Sequence, residues 1–262
     1  LPAFGGQAGN PTLRRVLGEL ADIPRTNFAA VAELAYAGDS KSPEGNLLRV
    51  QLPPAASRNT GMQKSVEQKI IDFIYESGIL SKTPRSGLWF LGTGNQSVAE
   101  HVLRTVFIGY ALSVLTPGAD EKKIILMCLL HDLGEGRTSD LNYVHQKYGR
   151  LAEVQAIQDI ARNVPFGKEL RTIFREFEQR QTIEAKLAKD ADQLEWLATL
   201  REEEIKGNTK AHAWALIAFK RLKTPLGKKN GKGLLKIHPD HWWYNRNDQW
   251  FVDRHQKDRK WR

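Results

Sequence analysis

Cysteine is almost absent. Cys128 is the single one in 262 residues, so no intrachain disulfide and no thiolate metal cluster can form, as suits a reducing cytoplasm. Its place inside the apolar run IILMCLL makes it a small core residue. Long hydrophobic runs are also missing, and none approaches the roughly 20 residues of a membrane span. The opening LPAFGGQAGN has no basic segment followed by an apolar one, so a secretory leader is not expected. Nor is there an excess of one charge over most of the chain. The net charge is +9, and residues 220–262 carry 13 Lys and Arg against 4 acids, while the remainder holds 26 of each. The basic character belongs to the C-terminal segment and not to the whole molecule.

Strand-like alternation is nearly absent as well, and helical periodicity takes its place. Residues 1–61 are rich in Gly, Pro, Ala, Ser and Asn, and are expected to form a weakly ordered or strap-like extension. From Met62 the pattern changes. Val66, Ile70, Phe73 and Ile74 recur at helical spacing up to Gly78. SVAEHVLRTVFIGYALSVL opens with Ser97 and Glu100 in a capping-box arrangement. DEKKIILMCLLHDLG starts at Asp120 and stops at Gly134. Leu170, Ile173, Phe174 and Phe177 make a further stripe, and helices follow over about 182–206 and 210–222. The 41% hydrophobic fraction suffices for a core, and the fold class is all-α, a compact bundle of six or more helices over 62–255. Residues 256–262 form a basic end. Trp242, Trp243, Tyr244, Trp250 and Phe251 are expected to strap the tail onto the bundle. The same mixture of aromatic and basic residues would alternatively suit stacking on single-stranded nucleic acid.

Chemistry concentrates in LLHDLGEGRTSD, residues 129–140. His131 and Asp132 follow an apolar run, where an ionised carboxylate is costly unless a cation or metal pairs with it. His101 lies just inside the preceding helix, and Asp190 and Asp192 lie in a later amphipathic one. Two imidazoles and two carboxylates on helices, with no thiolate, favour a site with open positions for Mn²⁺, Co²⁺, Fe²⁺, Ni²⁺ or Mg²⁺ over a closed structural zinc site. Asp190 and Asp192 are about 200° apart on a helix and cannot both face one ion. Periodicity leans to Asp190, which shares a stripe with Leu187, Leu194 and Leu197.

Four segments, KTPRSGLWFLGTGNQSVAEH, LLHDLGEGRTSDLNYVHQKY, AKDADQLEWL and HPDHWWYNRNDQWFV, together resemble the HD-domain phosphohydrolases, and within them the 5′-deoxynucleotidase group. The likeness covers about 62–253. It implies an enzyme that removes the 5′-phosphate from deoxyribonucleoside monophosphates with one divalent metal ion, with dNTP hydrolysis as the alternative. The family's metal ligands fall on His101, His131, Asp132 and one aspartate of KDAD. Its K-x-x-D spacing matches Lys189 to Asp192 and selects Asp192, leaving Asp190 as a surface or outer-layer group. Its catalytic acids fall on Glu135 and Asp140, and Arg85 and Lys189 match positions near the nucleotide. The resemblance further implies a nucleotide substrate and a possible homodimer; the lack of a long apolar run argues against a membrane partner, and the intact set of ligands and acids against a nucleic-acid one. The chain departs from the family's usual Gly-Asp by placing Ser139 before Asp140. A non-catalytic nucleotide or single-stranded nucleic-acid binder, using the basic aromatic tail, is the reading of another class.

Overall fold

A computed structural model describes residues 64–248, which lie within the domain expected over 62–255. The expected extension over 1–61, the aromatics Trp250 and Phe251, and the basic end over 256–262 lie outside the described residues. The described residues are helical, with one isolated bridge between Pro84 and Ser97 and no named strand. The helices are α1 (Val66–Ser77), α2 (Gly87–Leu91), α3 (Val98–Val114), α4 (Glu121–Leu130), α5 (Glu135–Thr138), α6 (His145–Tyr148), α7 (Glu153–Arg162), α8 (Gly167–Gln179), α9 (Ile183–Ile205), α10 (Thr209–Arg221) and α11 (Pro225–Lys236). Short 3-10 turns cover Gly78–Ser81 and Pro239–Trp242.

Their starts follow the capping residues. Ser97 accepts from the Glu100 backbone while the Glu100 side chain accepts from the Ser97 backbone, the expected capping box. Asp120 and Thr182 cap α4 and α9 through their side chains. The last helix, α11, is absent from the sequence-based expectation because three glycines and four lysines mask it. Thr224 caps it and Pro225 occupies its first turn, where a missing N–H costs nothing. Its Gly227 is required by close approach, since a Cβ there would collide with the Asp190 carboxylate.

Helix α9 is the axis of the bundle and packs against α3, α4, α8, α10 and α11. Ala185, Leu187, Ala188, Ala191, Leu194, Leu197 and Leu200 are buried on it, and the alanines let neighbouring helices come close. Each buried Leu or Ile contributes about 1.5–3 kcal/mol from apolar area removed from water. A second cluster joins Val98 and Val102 of α3 to Ile157 and Ile160 of α7 and Leu170 and Phe174 of α8. By contrast, α1 buries none of its residues fully, and Val66 and Ile74 of its expected apolar stripe stay exposed. Phe73 anchors it, edge-on to Phe166 at 5.2 Å, and Glu76 pairs with Arg137. No described helix is long and apolar enough to cross a membrane.

The expected aromatic strap needs correction in its described part. Trp242 is 85% exposed, and Trp243 and Tyr244 are about half exposed. The Trp243 indole donates to Asp240, and its ring packs against Tyr244.

Helices α3 and α4 approach closely at Gly109, where a Cβ would stand 2.5 Å from Cys128 Sγ. Gly109→Val is expected to lower the unfolding free energy by about 1–3 kcal/mol through overpacking. Gly233 on α11 faces open space, so Gly233→Ala is expected to raise it by about 0.5–1 kcal/mol. Urea denaturation of the two variants measures both signs.

Candidate metal centre and active site

Three helices meet at their polar residues. His101 stands one turn into α3, His131 caps the C-terminus of α4 with Asp132 following, and Asp192 lies in the middle of α9. His101 and His131 are buried and face each other, Nε2 to Nε2, at 3.4 Å. Asp192 Oδ1 lies 3.3 Å from His101 Nε2, and one donor atom from each of His101, His131 and Asp192 falls within 4.8 Å of the others. Asp132 Oδ2 lies 3.3 Å from His131 Nε2 and 3.5 Å from His101 Nε2.

This donor set fits a divalent cation. His131 Nδ1 is 2.9 Å from the Cys128 carbonyl, which can only accept, so Nδ1 carries the proton. His101 Nδ1 is 2.5 Å from Glu195 Oε2 and likewise donates. In the neutral rings both Nε2 atoms therefore present lone pairs to each other and to carboxylate oxygens, an arrangement that repels itself unless a positive charge lies between them. Burial and Arg85 oppose protonation of His101, but its hydrogen bonds to Asp192 and Glu195 outweigh them and raise its pKa. Burial would raise Asp192 too, yet Lys189, His101 and His131 hold it well below the usual carboxylate range. Asp132 is lowered in the same way, by His131, His101 and Arg85 against the penalty of burial.

Glu195 was missed in the sequence. It is fully buried, one turn beyond Asp192 on the same face of α9, and that three-residue spacing was the available signal. Burial pushes its carboxyl up, but His101 and Arg104 bring it down to about 2.

The segment after α4 carries the two further carboxylates to the same place. Glu135 opens the short α5 and is buried, with Oε2 lacking any hydrogen-bond partner. Burial, then Asp132 and Asp140, push it up to about 10. Asp140 accepts from the Ser86 N–H at 2.8 Å, and its own carbonyl accepts from the Ser86 hydroxyl at 2.7 Å. Its pKa is raised by burial, against the pull of Arg85 and that N–H. Arg85, one residue before Ser86, reaches Asp132 Oδ2 at 3.4 Å and lies over the Trp196 ring. Lys189 contacts Asp192 Oδ2 at 2.7 Å and lies over Phe177. Arg137, although on the same loop, turns away to pair with Glu76. All eight sequence-nominated residues thus converge on one patch.

The sequence profile of the HD domain matches residues 77–232. The chain belongs to the HD domain family. It is similar to a 5′-deoxynucleotidase of Schizosaccharomyces pombe, 25% identical over 162 residues, which span 56% of this chain and 78% of that one. A 5′-deoxynucleotidase of Dictyostelium discoideum is 33% identical over 121 residues, 42% of this chain and 63% of its own. Among solved structures, a conserved hypothetical protein of Pyrococcus furiosus aligns with a TM-score of 0.57 at 28% identity, over 64% of this chain and 99% of its own.

Within this HD domain the two aspartates of KDAD have separate surroundings. Asp192 faces the histidines. Asp190, expected at the surface or in the outer layer of the site, is fully buried on the opposite side of α9. There its carboxylate accepts from the Lys223 N–H, the Thr224 N–H and the Thr224 hydroxyl at 2.6–2.7 Å, fixing the turn that starts α11. Asp190→Ala is therefore expected to cost about 2 kcal/mol or more in stability by stranding buried donors, yet to keep Mn²⁺ binding. Asp192→Ala is expected to lose Mn²⁺ binding while remaining folded. Calorimetric titration and thermal melts of both variants decide the pair.

Ser139 adopts φ 67° and ψ 168°, a conformation that favours glycine, directly before Asp140. The strain costs about 1–3 kcal/mol, and a glycine would avoid it. Ser139→Gly is expected to raise the unfolding free energy by about 1 kcal/mol, measured by urea denaturation; a loss of stability would contradict this account of the loop.

Proposed function

We propose that this chain is a divalent-metal-dependent phosphomonoesterase that releases phosphate from deoxyribonucleoside 5′-monophosphates. The observation that carries the reading is the convergence of two Nε2 lone pairs, two carboxylates and two further acids on one patch flanked by Arg85 and Lys189. The names of the two relatives, both 5′-deoxynucleotidases, supply the substrate class. His101, His131, Asp132 and Asp192 would hold the cation, with Mn²⁺, Co²⁺, Fe²⁺, Ni²⁺ or Mg²⁺ the matching ions for imidazole and carboxylate donors. A bound ion would supply Lewis acidity to the phosphoryl group and to the attacking water.

The other residues act on substrate and protons. Arg85 presents a guanidinium suited to two phosphate oxygens at once, and its backbone N–H on the Gln96 carbonyl, 2.8 Å away, fixes its loop against the start of α3. Lys189 adds a second cation to the dianion's side of the site. Glu135 and Asp140 carry the two proton transfers: removal from water and delivery to the departing 5′ oxygen. Burial keeps Glu135 able to hold a proton near neutrality. A nucleotide triphosphohydrolase is the second reading within the same family.

The assay is product analysis. Purified protein with Mn²⁺ or Co²⁺ is expected to release inorganic phosphate from dNMPs, and EDTA should abolish the release. His131→Ala should reduce turnover by about 100-fold or more. Release of triphosphate from dNTPs, without hydrolysis of dNMPs, would replace the first reading with the second. Failure of both substrates under every divalent ion would leave the non-catalytic binder.

A further inference from the structure

Behind His101 lies an ion pair between buried Glu195 and partly exposed Arg104 that no proton-transfer or phosphate-binding step uses. Resting on the reading of this patch as a metal centre, we propose that Glu195 is the positioning residue that sets the metal-binding tautomer of His101, and that Arg104 sets the orientation of Glu195. His101 and Arg104 stand one turn apart on α3, as Asp192 and Glu195 do on α9, so the two helices cross as two facing pairs.

The two oxygens of Glu195 have different work. Oε1 is surrounded by donors: Arg104 Nε at 2.9 Å, Arg104 Nη2 at 2.7 Å, the Gln96 amide at 2.8 Å and the Thr199 hydroxyl at 3.1 Å. Oε2 is left to His101 Nδ1 at 2.5 Å. Arg104 is itself held by Glu202 at 2.6 Å and by Thr199, so its fork cannot swing away. A carboxylate in this place can only accept, which keeps the proton on Nδ1 and the lone pair on Nε2 toward Asp192 and His131. The second partner of a ligating histidine commonly controls metal affinity in this way.

The amide introduced by Glu195→Gln has one accepting and one donating end. The two fixed donors of Arg104 demand the oxygen at the Oε1 position. The NH₂ group then faces His101 Nδ1, and the ring must accept there. Its proton moves to Nε2, where it points at the other donors and removes the lone pair. Arg104→Met alone leaves a carboxylate, which accepts through either oxygen, so the tautomer is kept. In the double variant the amide is free to turn its oxygen to Nδ1–H. Gln96 can turn with it, because its Oε1 has no hydrogen-bond partner.

The test is calorimetric titration of the metal-free full chain with Mn²⁺, with thermal melts confirming that each variant is folded. Glu195→Gln is expected to bind about 10–100-fold more weakly than the unsubstituted protein. Arg104→Met should stay within about threefold of it, and Arg104→Met/Glu195→Gln should regain affinity to within about tenfold, since the amide oxygen again accepts from the ring. Recovery on adding a second substitution is a result that a merely structural role would not produce. Should Glu195→Gln fail to fold, the double variant decides: affinity lost beyond about 100-fold overturns the inference. Equal binding by Glu195→Gln and the unsubstituted protein overturns it while leaving the metal centre intact. No Mn²⁺ binding by the unsubstituted protein overturns both.

Discussion

Two buried imidazoles pointing their Nε2 atoms at each other across 3.4 Å, with Asp132 and Asp192 around them, form the constraint on which the rest of the molecule depends. Such a group is unfavourable in a dry interior without a positive charge, because lone pairs and anions have been removed from water together. Arg85, Lys189 and Arg104 supply part of that charge from three sides. A divalent ion would complete it, and by binding the folded state alone it would also stabilise the fold. The helices reflect the same demand. α3, α4 and α9 must cross closely, and the Gly109–Cys128 contact and the alanines of α9 permit the approach.

Helix α4 ends at His131, so His131 and Asp132 sit at a helix terminus with the Glu135–Asp140 segment beside them. That segment is tied to the Arg85 loop through Ser86, and Asn142 extends the tie by donating to the Ser86 hydroxyl at 3.2 Å. While His101, Lys189 and Asp192 sit within helices α3 and α9, Arg85, Glu135 and Asp140 are thus carried on two segments joined by hydrogen bonds. Strain at Ser139 is stored at the joint between them.

Much of this was legible in the chain. Helix starts at Ser97, Asp120 and Thr182 follow from local side-chain-to-backbone hydrogen bonds, which need no tertiary context. The HD pair stood out because ionisable groups after an apolar run demand a reason. What was not legible depends on partners distant in sequence. Periodicity put Asp190 on the apolar stripe but could not say that it caps α11, because its donors come more than thirty residues later. Helix α11 was hidden by three glycines, of which Gly227 and Gly231 serve close packing. Glu195 looked like one more acid of an amphipathic helix until His101 and Arg104, some ninety residues earlier, were placed against it. Trp242 failed in the opposite sense, since ring size suggested burial and the short turn that carries it leaves it exposed.

The central claim is that His101, His131, Asp132 and Asp192 hold one divalent cation. Anomalous diffraction at the manganese edge, from crystals grown with Mn²⁺, tests it directly. The account predicts a single strong peak within about 2.0–2.3 Å of both Nε2 atoms and in contact with both carboxylates. A peak elsewhere, or none at this position at saturating Mn²⁺, would contradict it.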